Sequence, residues 1–142
     1  MAPEEATLRF GCRRCGNCCR RPGTVTFSPA DVTRAAALLE LSPREFRRRY
    51  LTREDGRWLH EGKAGENCAF FVERSAGAPS RCLIHAAKPL QCRAWPFWPE
   101  VMADRRGWRA AARRCPGLGR GPVHDPAYAA RLASAVERLT GP

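Results

Sequence analysis

Four cysteines fall within eight residues, in the run Cys12-Arg-Arg-Cys15-Gly-Asn-Cys18-Cys19. Two C-x-x-C steps in succession offer three thiols from one tight loop, which is how chains present thiolates to a zinc ion or an iron-sulfur centre. Cys68, Cys82, Cys92 and Cys115 bring the total to 8 thiols in 142 residues. That many thiols are either paired as disulfides or reduced and ligated, and the compartment decides between the two. Residues Met1 to Thr7 are acidic and polar, and no apolar signal-peptide core precedes the first cysteine. No stretch approaches the roughly 18 apolar residues of a membrane span. The expectation is a cytoplasmic protein whose reduced cysteines hold metal, the alternative being a secreted disulfide protein.

The vicinal pair narrows the arrangement. Adjacent side chains such as Cys18 and Cys19 point apart, so a single mononuclear site does not readily use both. Two neighbouring sites, or a binuclear one with a bridging thiolate, accommodate them. One site is expected near Cys12, Cys15, Cys18 and Cys115, and another near Cys19, Cys68, Cys82 and Cys92. Cys115-Pro116 is similar to the distal Cys-Pro that completes a cubane cluster in bacterial ferredoxins. Spacing alone leaves zinc and iron both open. A lone distal cysteine would read as a small buried hydrophobe, but eight together, each beside a turn or a polar residue, read as ligands.

The formal charge of +11 is carried almost wholly by arginine, since Lys63 and Lys88 are the only lysines among 25 cationic residues. Such a surface suits nucleic acid or another polyanion. An arginine and alanine bias along the whole chain reads equally as genome composition. Eight thiolates on two centres of charge +2 would lower the net charge to about +7. Arg13, Arg14, Arg20 and Arg21, next to the cysteine run, would partly offset the negative charge gathered there.

A chain of this length is expected to form one α+β domain over residues 1–142, small, irregular and metal-stabilised, with short helices, a short hairpin and long loops around thiolate sites. Its 12 Gly and 12 Pro favour broken regular structure. Val25 to Phe27 reads as a strand. Ser28-Pro29 and Ser42-Pro43 each pair a capping residue with proline at the first helical position. They predict helices to about Glu40, with a buried stripe of Val32, Ala35, Ala36 and Leu39, and to Tyr50, with Phe46 and Tyr50 on one face. Arg47 to Arg49 read as the solvated side of the second helix. Arg57 to Leu59 suits a strand, and residues 67–72 and 81–84 suit a hairpin that draws Cys68 and Cys82 together. Lys88 to Arg93 reads as one helical turn. Ala94 to Pro99, with two prolines among three aromatics, is expected to be extended and packed on the domain. Gly117 to Gly121 reads as a loop, and Asp125-Pro126 caps a last helix over about 126–139, with Tyr128, Leu132, Ala135, Val136 and Leu139 on one face.

The ordered set C-R-R-C-G-N-C-C-R, S-P-A-D-V, E-F-R-R-R-Y, C-A-F-F, C-L-I-H-A-A-K-P-L-Q-C-R-A-W-P-F and C-P-G resembles the bacterial cysteine-cluster family called CxxCxxCC, over about residues 10–121. The resemblance implies a small zinc- or iron-chelating protein of undefined role. It carries ligand status onto Cys12, Cys15, Cys18, Cys19, Cys68, Cys82 and Cys92, and onto Cys115 through the Cys-Pro. Similar cysteine-rich regions occur in flagellin lysine methylases, which implies iron-sulfur-dependent methyl transfer as an alternative; this chain is short for an added cofactor domain. A basic zinc protein binding nucleic acid is the other alternative, although Trp95 and Trp98 lie near Cys92 and read better as shielding for the cluster. No catalytic constellation stands out. His60, His85 and His124 are isolated and read as surface or loop residues, with His85, three residues after Cys82, the one candidate for a further ligand or a ligand's hydrogen-bond partner.

Overall fold

Three helix starts in this chain, Ser28-Pro29, Ser42-Pro43 and Asp125-Pro126, are written as a capping side chain followed by proline. The computed structural model describes residues 8–13, 23–62, 68–72 and 81–141. Among them the elements run β1 (Arg9–Phe10), β2 (Gly23–Phe27), α1 (Pro29–Leu38), α2 (Pro43–Tyr50), β3 (Thr52–Glu54), β4 (Arg57–Gly62), β5 (Phe71–Val72) and β6 (Arg81–Cys82). A 3-10 turn (His85–Ala87) follows, then α3 (Leu90–Ala94), α4 (Pro99–Met102), α5 (Arg105–Arg114), β7 (Leu118–Val123) and α6 (Pro126–Thr140). The fold is α+β, and its strands form small antiparallel sheets ordered β1-β7, β2-β4-β3 and β5-β6. The chain divides into two compact units, one of residues 16–93 and one of residues 1–15 with 94–142.

In the unit of residues 16–93, Ser28 and Asp31 form a reciprocal capping box. The Asp31 N–H donates to Ser28 Oγ at 3.1 Å and the Ser28 N–H donates to Asp31 Oδ2 at 3.0 Å. Ser42 caps α2 through a single bond, accepting the Glu45 N–H at 3.1 Å. Helix α1 stops short of the expected Glu40 because Glu40 takes the left-handed conformation, φ 58°. The Leu41 N–H then returns to the Ala36 carbonyl at 2.9 Å and the Glu40 N–H to that of Ala37 at 3.1 Å, a Schellman closure. Asp55 and Gly56 also have positive φ, 50° and 77°, and make the two-residue turn that folds β3 onto β4.

The core here is Phe27, Val32, Ala35, Ala36, Phe46, Phe70 and Ile84. Phe46 has no exposed surface and contacts the rings of Phe27, Tyr50 and Phe70 at 5.7, 5.2 and 5.8 Å, nearly parallel to the last. Of the arginine run on α2, Arg48 and Arg49 are exposed as expected, but Arg47 is not fully solvated. Its guanidinium lies 5.5 Å from the Trp58 ring centre, on the face toward β4.

The other unit has its own core of Leu8, Phe97, Val101, Trp108, Ala111, Leu118 and Ala129. The glycine-rich segment expected to be a loop is instead strand β7. Its pairing with β1 slips between Arg9, opposite Val123, and Phe10, opposite Leu118, so the glycines fill a bulge rather than end a strand. Gly117 permits the closest approach, because a Cβ there would overlap the Gly11 carbonyl oxygen. The Trp-Pro-Phe-Trp-Pro segment is not extended. The Phe97 N–H turns back to the Ala94 carbonyl at 2.7 Å, and Pro99 starts α4, since proline without an N–H suits a first helical position. Helix α5 was not expected from the sequence. Asp104 caps it by accepting the Gly107 N–H at 2.8 Å, and it buries Trp108 and Ala111. Helix α6 is capped by Asp125 and runs one residue past its expected end; it buries Ala129 and Val136, whereas Tyr128 is 42% exposed.

Candidate metal centre

Hairpin β5–β6 places two thiols on the core of the 16–93 unit. Cys82 faces Phe71 across the ladder, the Leu83 N–H donates to the Phe70 carbonyl at 2.8 Å, and the Cys68 carbonyl accepts the Phe71 N–H at 3.0 Å. Both thiols are half-buried. Burial pushes the Cys82 thiol above its ordinary value and neighbouring Cys68 adds to the effect, while a backbone hydrogen bond at Ile84 and the charge of Lys88 act against it. The two cysteines are therefore in electrostatic contact, as the hairpin expectation required.

Cys92 is half-buried on α3. The start of that helix is held from a distance in sequence: the Leu90 N–H donates to Asp31 Oδ1 at 3.2 Å, and the same oxygen pairs with Arg34 at 2.7 Å. Gln91 adds a second tie, accepting the Thr26 N–H at 2.8 Å and donating to the Thr24 carbonyl at 3.1 Å. Asp31 is thus the sequence's least expected contributor. It serves the capping box of α1, a half-exposed ion pair and the helix that carries Cys92. Asp31→Ala is expected to lower unfolding free energy by about 2 to 3 kcal/mol, combining a lost cap, a broken half-exposed ion pair and the lost tie to the Leu90 N–H. Urea unfolding of the metal-loaded protein measures the loss.

In the other unit Cys12 is exposed just after β1, and half-buried Cys115 ends α5. The Trp95 indole Nε1–H donates to Cys115 Sγ at 3.4 Å, and Trp98 meets Trp95 edge to face at 4.9 Å. The tryptophans were expected to shield the cluster beside Cys92; the cysteine that Trp95 meets is Cys115. Cys15, Cys18 and Cys19, with Arg14, Arg20 and Arg21, lie outside the described residues. Among the described residues, no three Cys, His, Asp or Glu side chains converge as a metal-holding group.

Of the three histidines expected at the surface or in loops, His60 is the correction, while His124 lies in the connection between β7 and α6. His60 is buried on β4, where its Nε2 accepts the Ala69 N–H at 3.3 Å and its ring meets Phe70 at 5.5 Å. His124 Nε2 lies 3.0 Å from the Phe10 carbonyl, which accepts its proton, and its ring packs on Phe97. His85 opens the 3-10 turn and is half-buried. Burial lowers the His60 pKa from its ordinary 6.5. The unfolded chain therefore takes up the proton more readily than the folded one. The stability that comes from keeping His60 neutral is complete above about pH 6.5 and is lost as pH falls through the lower folded value. His60→Gln, which keeps an acceptor without a titrating ring, is expected to flatten the acid side of the stability profile between pH 7 and 5, followed by urea midpoints.

The model of a family described as "Putative zinc- or iron-chelating domain", named CxxCxxCC, matches residues 11–116. The chain belongs to the CxxCxxCC family. The match starts one residue before Cys12 and ends one after Cys115, so it takes in every cysteine of the chain. Helix α6 lies beyond it. Membership of the CxxCxxCC family supports binding of zinc or iron by this chain. No solved structure matches the chain. No helix among the described residues is long and apolar enough to cross a membrane.

Proposed function

We propose that residues 1–142 work as one metal-binding domain in which Cys12, Cys15, Cys18, Cys19, Cys68, Cys82, Cys92 and Cys115 are the ligands of two zinc or iron sites. The observation that carries this reading is the thiol pair on hairpin β5–β6. Two half-buried sulfurs in electrostatic contact, one made a weaker acid by its burial, are costly as free thiolates. A divalent cation or a cluster cation removes that cost, because a coordinating thiol is deprotonated outright. The hydrogen bond at Cys115 supports the same reading. An indole N–H aimed at a sulfur is an outer interaction of the kind that orients a metal ligand. A bound metal would supply cross-linking of distant loops in the zinc case and electron transfer in the iron-sulfur case. The reading takes the thiols as reduced ligands, a state that suits a cytoplasmic protein.

Metal analysis of protein purified without oxygen tests the proposal. Two zinc ions or two clusters per chain are expected, and visible sulfur-to-iron absorbance separates iron from colourless zinc. One ion per chain would overturn the two-site arrangement, and none after purification from metal-replete cells would overturn the reading as a whole.

A further inference from the structure

The arginines of the 16–93 unit largely have partners within it. Arg34 pairs with Asp31, Arg48 and Arg49 share Glu45 at 2.7 and 3.2 Å, and Arg47 and Arg53 both lie within 6 Å of the Trp58 ring centre, at 5.5 and 5.8 Å. Helix α5, Arg105-Arg-Gly-Trp-Arg-Ala-Ala-Ala-Arg-Arg114, differs at its three central-face arginines, Arg106, Arg109 and Arg113. Its buried side is Trp108 and Ala111, while all five arginines are exposed. At about 100° per residue, Arg106, Arg109 and Arg113 fall within about 60° of arc, and Arg105 and Arg114 extend it to about 180°. Arg106, Arg109 and Arg113 have no ion pair among the described residues. Three arginines close together on one helix face with no ion pair among the described residues make a site for a polyanion, since Arg106, Arg109 and Arg113 can each take a phosphate oxygen.

The rest of the face selects the polyanion. The residues exposed between the arginines are Ala110 and Ala112, which let a flat or grooved surface come close. No exposed large apolar side chain is available on α5 for insertion between acyl chains, which a membrane-surface helix requires. No exposed aromatic is available there to stack on unpaired bases, which single-strand binding uses. The major groove of B-form DNA admits an α-helix, and that of A-form RNA is too narrow. Arg106 to Arg113 spans about 10 Å along the helix axis, the axial length of about three phosphates of one strand. We propose that the exposed arginine face of α5 docks on the phosphate backbone of duplex DNA, without reading its sequence.

The test is fluorescence anisotropy of the metal-loaded protein with a 20-base-pair duplex of mixed sequence, from about 50 to 200 mM salt. Wild-type affinity is expected to fall steeply with salt. Arg106→Ala with Arg109→Ala and Arg113→Ala is expected to reduce the slope of log affinity against log salt by about 2.7, which is about 0.9 for each phosphate no longer neutralised. A control triple, Arg120→Ala, Arg131→Ala and Arg138→Ala, removes the same charge from exposed positions off α5 and is expected to leave most of the slope. Circular dichroism and metal content check that each variant is folded. Should the triple fail that check, Arg109→Gln alone is expected to lower the slope by about 0.9. The proposal is overturned by absence of duplex binding at 50 mM salt, by equal losses in the two triples, or by tighter binding to single strands, duplex RNA or phosphatidylserine vesicles than to duplex DNA.

Discussion

Complete removal of metal under reducing conditions is expected to cost this protein most of its folded structure. Thiolate-bound zinc contributes about 10 to 16 kcal/mol in small finger peptides. A whole domain is stable by only about 5 to 15 kcal/mol. The chain is built so that this term matters. The described hairpin β5–β6 pairs only two residues per strand, and pairing between β1 and β7 is broken by a bulge, so neither is held firmly by its backbone ladder. Their cysteines, Cys68 and Cys82 on one and Cys12 just after the other, are the proposed fixing points. Chelation by a strong zinc or iron chelator should therefore lower the thermal midpoint by tens of degrees, as about 1 kcal/mol moves a domain of this size by roughly 2 to 8 °C. Cys15→Ala should unfold the N-terminal region in the same way. An unchanged midpoint in protein shown to be metal-free would contradict both.

Phe46→Ala is expected to be the most damaging single substitution away from the cysteines. The ring is wholly buried and is touched by three other aromatics, so truncation loses its burial, the ring stacking and the packing of a site that cannot collapse around the facing rings. The loss is about 3 to 5 kcal/mol. In urea, where a small domain loses about 1 to 3 kcal/mol per molar, the midpoint should fall by more than about 1 M. Phe46→Leu keeps most of the volume and should lose less than half as much. Equal midpoints for wild type and Phe46→Ala would show that this core does not limit stability.

What could be read from the residues was local. Ser28-Pro29, Ser42-Pro43 and Asp125-Pro126 each announce a helix because a side-chain oxygen and a missing N–H satisfy the first turn at once, and each helix starts where they predict. The hairpin holding Cys68 and Cys82 was legible from two short β-rich runs around a loop. Helix α5 was not, because arginines occupy half its positions and leave only Trp108 and Ala111 as an apolar signal; the Asp104 cap was the usable cue. His60 could have been found by alternation. It lies opposite Val25 as Trp58 lies opposite Phe27, so the strand that puts Phe27 in the core also puts the imidazole there. The role of Asp31 at α3 was out of reach, since Leu90 is 59 residues away and no local pattern links them.

The β1–β7 ribbon joins Arg9 to Val123, so one unit of this protein closes only after nearly the whole other unit has been made. Residues 16–93 are contiguous and can settle during translation, while Cys12, if it shares the proposed site with Cys115, waits for it. At about 5 to 20 residues per second, the roughly 100 residues between them take about 5 to 20 s to synthesise. Through that interval the N-terminal cysteines are outside the ribosome or entering its exit path without their last partner, and any metal captured then is held by an incomplete set. Timing of metal supply relative to translation is therefore a property that the topology imposes on this chain, whichever metal it carries.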